Sequence, residues 1–155
     1  MDGKNGKDQS TADRVTETIL AEAWTFLDAG RYGDALKAAR SILDDDPEHS
    51  AALYFLGRLS LKVHGFDGAA GFFAKAAAAA PGDHAEARNH LGLGEALGAL
   101  KKYDQAALSL RQAGRLDPDC AGLAQAWREL EDRCREVLFR NSEDMAANFA
   151  LGQAL

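Results

Sequence analysis

The chain is poor in the features that would tie it to a catalytic, secreted or membrane-inserted class. It has only two cysteines, Cys120 and Cys134, fourteen residues apart and without CxxC spacing. That pattern suggests neither a zinc site nor a disulfide framework. A cationic surplus is missing too. The formal net charge is -6, and a general affinity for nucleic acid or anionic membrane needs clustered lysine and arginine. No apolar run is long enough to cross a bilayer. The stretch from Ala69 to Ala80 falls short of the roughly 20 residues required and carries Lys75 in its middle. The first ten residues, MDGKNGKDQS, are polar and lack the apolar segment of a secretory signal. They read as a disordered tail, with Ser10 or Thr11 capping the first helix, and a cytoplasmic location is the default expectation.

Catalytic groupings are also absent. Four histidines occur at 49, 64, 84 and 90. Glu86 and His90 are spaced to share a helix face, but no third metal ligand accompanies them. The acidic run Asp44-Asp45-Asp46-Pro47-Glu48 lacks the alternation and glycine of a calcium loop. Gly92 and Gly94 sit in a helical pattern with no strand before them, which removes a dinucleotide-binding reading. The sequence therefore predicts a protein that is not an enzyme, with no catalytic residues, no metal and no cofactor.

What is present is alanine, glycine and periodicity. A hydrophobic fraction of 46% with 27% charged residues is that of a globular chain, and 155 residues suit one domain. Residues 66–83, FDGAAGFFAKAAAAAPGD, could be a linker by composition. Five consecutive alanines ending at Pro81-Gly82 favour a helix with a stop signal instead. The same stretch has two sister segments. Tyr32 precedes Ala35, Phe66 precedes Ala69 and Tyr103 precedes Ala106 by three residues, and Pro47, Pro81 and Pro118 follow twelve residues after those alanines. Ala35 and Ala69 are 34 residues apart, Ala69 and Ala106 are 37, and Leu56-Gly57 recurs as Leu93-Gly94.

This pattern resembles the tetratricopeptide repeat, a 34-residue helix-turn-helix unit. The resemblance implies an all-α, right-handed α-solenoid of stacked hairpins, with repeats at about 16–49, 50–83 and 87–120 within a single domain spanning 11–155. A related 35-residue helical repeat that reads RNA fits less well, because of the acidic balance and the positions of the small residues and prolines. After Pro118, the residues Leu123, Trp127, Leu130, Cys134 and Val137 mark one face of a helix over 121–140. Residues 143–155 then resemble the first helix of a further repeat, with Leu151-Gly152 as its leucine-glycine pair. Met145, Phe149, Leu151 and Leu155 would form an apolar end face, either continued by more chain or docked on another subunit as a homo-oligomer.

Stacked repeats of this kind line a concave groove with their first helices. By that resemblance Leu20, Trp24, Leu27, Tyr54, Arg58, Leu61, Arg88 and Leu91 are the candidate partner-binding residues. The expected partner is a protein or peptide segment, with no nucleic acid and no membrane insertion. The five positions of the family's carboxylate clamp fall on Leu20, Trp24, Phe55, Arg88 and Gly92, and only Arg88 fits. An apolar-aromatic ligand is expected rather than a free carboxylate. The rival expectation is a repeat region of a larger bacterial enzyme, a glycosyltransferase or methyltransferase, that positions its substrate.

Overall fold

A computed structural model describes residues 5–82 and 84–154. Among them the chain forms eight helices and no strand: α1 (Asn5–Asp28), α2 (Tyr32–Asp45), α3 (Ser50–Lys62), α4 (Phe66–Ala79), α5 (His84–Ala99), α6 (Tyr103–Leu116), α7 (Leu123–Arg140) and α8 (Met145–Ala154). Each helix packs on the one before and the one after it. The odd-numbered helices α1, α3, α5 and α7 also touch in succession along one side. The result is an all-α solenoid of helical hairpins, the class that the repeat pattern implies.

Within the first three hairpins the turn is made the same way. Gly30, His64 and Lys101 take a left-handed backbone, with φ of 72°, 59° and 62°. In each case the next amide reaches back five residues, from Arg31 to Phe26 O, Gly65 to Ser60 O and Lys102 to Leu97 O. This closes the preceding helix by satisfying a carbonyl it would otherwise leave bare. The second helices end alike, with Asp46, Ala80 and Asp117 donating to Ile42, Ala76 and Ala113. Pro47, Pro81 and Pro118 follow directly, where no further helical amide is available.

Small residues set the distance between helices. Ala35, Ala69 and Ala106, the three register alanines, are fully buried. Phe73 of α4, also fully buried, lies in a slot between two glycines on neighbouring helices. A Cβ built on Gly57 of α3 would come within 2.7 Å of its ring, and one on Gly92 of α5 within 2.5 Å. A Cβ on Gly94 would come within 2.6 Å of Leu110. Packing at native density leaves no room for that extra atom. The aromatic position near each turn is used unequally. Tyr103 is buried against the cluster that includes Leu130 and Cys134 of α7, whereas Tyr32 is 43% exposed.

The ends depart from the sequence reading. Helix α1 starts at Asn5, ahead of the expected cap at Ser10 or Thr11, so residues 5–10 of the expected tail are helical; residues 1–4 lie outside the described residues. Helix α8 packs back on both α6 and α7 and so completes a fourth hairpin with α7. This contact with α6 sets it apart from α4 and α6, neither of which touches the second helix of the hairpin before it. The reason lies in its contact face: Ala147 and Ala150 are buried and small, and they let α8 approach the cluster on α6 and α7 closely.

Candidate binding groove

The odd-numbered helices bring four of the eight candidate residues to one cleft. Leu20 and Trp24 of α1, Tyr54 of α3 and Arg88 of α5 line a depression of about 270 Å³, closed by Ser50, Ala51, Ala80, Ala85 and Asn89. Its aromatic wall is braced from behind. The Trp24 ring stands edge-on to buried Phe55 at 4.8 Å and lies 6.3 Å from Tyr54, which in turn is 5.7 Å from Phe73. Trp24 nonetheless stays 36% exposed, so part of its ring faces solvent. The Arg88 guanidinium carbon sits 5.7 Å from the Tyr54 ring centroid, within range of a cation-π contact.

Farther along the same side, Arg58 donates from Nη1 to Glu95 Oε2 at 3.0 Å. Burial raises the pKa of Glu95 above the usual carboxylate value, outweighing the opposing pull of Arg58, and the charge of Glu129 adds to the rise. Leu61, Glu95, Ala126, Glu129 and Arg133 line a second, charged depression between α3, α5 and α7. Leu27 and Leu91 lie elsewhere: they are 6% and 7% exposed and belong to the core, so they support the groove without forming its surface. At the C-terminal end Met145 is 85% and Phe149 42% exposed, whereas Leu151 is partly buried against the α6–α8 cluster. Leu155 lies outside the described residues.

Pattern reading missed Asn89. Its side chain is 1% exposed, lines the aromatic cleft, and has no hydrogen-bond partner for Nδ2. A buried donor left unpaired costs about 1–3 kcal/mol. The signal was present, because the 37-residue step that carries Leu56 to Leu93 carries the fully buried Ala52 to Asn89. A polar amide where the sister repeat keeps an alanine is a departure that packing alone does not call for. The α7 contribution, Ala126, Glu129 and Arg133, was missed for another reason: α7 carries no repeat motif from which groove positions could be transferred.

Chemically, the groove offers apolar area, hydrogen-bond donors and paired charges. Among the described residues no cluster of three or more His, Cys, Asp or Glu side chains could hold a metal. Glu86 and His90 approach to 3.4 Å as a pair. Both thiols are buried, and desolvation raises their pKa values, Cys134 to about 11. No helix among the described residues is long and apolar enough to cross a membrane.

An open-ended stack of helical hairpins with a groove along its first helices defines the α-solenoid class. Residues 20–84 match the family described as Tetratricopeptide repeat, and the helical-hairpin architecture continues beyond the matched residues. No curated protein matches it in sequence. Among solved structures it resembles a mutant O-GlcNAc transferase of Thermobaculum terrenum, with 25% identity and a TM-score of 0.65 over 83% of this chain and 26% of that one. The chain thus spans about a quarter of that enzyme. It also resembles MamA, with 20% identity and a TM-score of 0.67 over 96% of this chain and 81% of the other. A second MamA, an RS-1 double mutant, shares 22% identity at a TM-score of 0.65, covering 90% of this chain and 72% of that one.

Proposed function

We propose that the protein is a non-catalytic interaction module that holds a segment of a protein partner in its concave groove. One observation carries the reading: exposed Trp24 and half-buried Tyr54 line a cleft where buried Phe55 and Phe73 support them. Rigid aromatic area beside an arginine is the composition of an interface hot spot. Three or four such anchors support micromolar binding, about -8 kcal/mol, after the costs of ordering. Affinity capture with the wild type and with a Trp24→Ala/Tyr54→Ala variant, each verified as folded by circular dichroism, tests it. Loss of the captured partners from the variant is expected, and the same partners at the same recovery would remove the groove assignment.

The likeness to part of an O-GlcNAc transferase favours a second reading, in which the repeats hold a protein substrate for a catalytic unit. The groove then does the same physical work, and the difference lies in what the bound segment meets next. Sequencing the gene on both sides of these residues separates the two readings, since the second requires a transferase domain in the same polypeptide.

A further inference from the structure

The aromatic cleft has donors to spare. None of its lining residues is acidic, the guanidinium of Arg88 has no ion-pair partner among the described residues, and Asn89 Nδ2 has no acceptor. Arg58 on the next turn of the groove is different, being paired with Glu95 at 3.0 Å. The two free donors also sit at different depths. Asn89 is 1% exposed, while Arg88 is an exposed residue at the rim. A carboxylate brought down to Asn89 would lose its hydration among apolar walls for a single neutral donor, which is unfavourable. A neutral carbonyl suits Asn89, and the charge belongs at Arg88. A cleft of about 270 Å³ is smaller than sites for drug-sized ligands, roughly 300–1,000 Å³, but has room for one large side chain.

Resting on the groove reading above, we propose that the cleft takes an internal segment of an extended partner in which an apolar residue adjoins aspartate or glutamate. The apolar side chain lies against Leu20, Trp24 and Tyr54. Its main-chain carbonyl accepts from Asn89 Nδ2, and the neighbouring carboxylate pairs with Arg88. Asn89 thereby works as the anchor that fixes where along the groove the partner chain sits, and Arg88 reads the acidic neighbour.

The probes are two random octapeptide display libraries, one with blocked and one with free C-termini, each selected on the wild-type chain and followed by anisotropy titrations of the selected peptides. Selected sequences are expected to share an apolar-acidic pair. Asn89→Leu should weaken them at least tenfold while melting no lower than the wild type, because it removes a buried unpaired amide. Arg88→Gln should erase the preference for aspartate over asparagine at the acidic position. Peptides that lose affinity for Tyr54→Ala but bind Asn89→Leu and Arg88→Gln as well as wild type would overturn this proposal and leave the groove reading standing. Failure to select any peptide, or binding indifferent to Tyr54→Ala, would overturn both. Peptides that bind only when their C-terminus is left free would show a terminal carboxylate as the occupant and overturn the internal segment.

Discussion

At the scale of single residues, glycine has two unrelated uses in this protein, and substitution separates them. Gly92 faces the Phe73 ring so closely that a methyl would lie 2.5 Å from it. Gly92→Ala should therefore destabilise by about 1–3 kcal/mol, more than the roughly 1 kcal/mol that alanine gains in a helix. Gly71 is exposed on α4 with nothing within 4 Å of a built Cβ, so Gly71→Ala should stabilise by about 0.5–1 kcal/mol. Urea denaturation of the two variants measures both, and effects of the same sign would contradict the packing around Phe73. Ala69→Leu, at a fully buried register position, should cost roughly 1–3 kcal/mol by overpacking; a midpoint unchanged from wild type would displace Ala69 from the helix interface. The register alanines and the Leu-Gly pairs were legible because they recur in fixed phase. The slot for Phe73 was only half legible. Gly57 belongs to the motif, but Gly92 stands two residues before the glycine that the motif names, and only packing reveals that both meet one ring.

Helices here begin by several devices, and some escape a reading based on preferred residue types. Helix α3 is capped by His49, whose Nδ1 accepts from the Ala52 amide at 3.2 Å. Ser50, the residue with the conventional capping preference, is already inside the helix, and its hydroxyl donates to Ala76 O at 3.0 Å. Helix α8 starts in the ordinary way, with Asp144 Oδ1 accepting from the Ala147 amide at 2.8 Å. Asp144→Ala should cost about 0.5–2 kcal/mol and His49→Asp should cost nothing, both read as shifts in thermal midpoint. A larger loss from His49→Asp would mean that the imidazole does more than accept one bond. The double contact of α8 with α6 and α7 was not legible. Its motif points to the start of a new hairpin, yet short apolar helices take the partner that buries them, and Ala147 and Ala150 fit the face left open by α6 and α7.

Across the whole molecule, stability should fall in alkaline solution. Desolvation, reinforced by the nearby charges of Asp144 and Glu131, lifts the Cys134 thiol from 9.0 to about 11, and Cys120 shifts the same way. Between pH 9 and 11 the unfolded chain has released the Cys134 proton while the folded chain retains it, so raising the pH favours unfolding. Cys134 alone contributes about 2 kcal/mol of this loss. Urea melts at both ends of that window should show a shallower pH dependence for Cys134→Ala than for wild type, and equal slopes would refute the burial effect. Glu95 acts with the same sign in weak acid: its raised pKa makes stability fall as pH rises from the ordinary carboxylate value through the folded one. The three intra-hairpin turns carry a consequence for shape. Gly30, His64 and Lys101 differ in every chemical respect yet hold one backbone conformation closed by the same five-residue hydrogen bond. Each second helix is therefore launched in the same rotational phase. The segments between hairpins do vary, from Asp46–His49 to the longer stretch of residues 117–122 before α7. Curvature along the stack, and with it the spacing of contacts a bound chain must match, is adjusted at those joints, while the first three hairpins share one turn geometry.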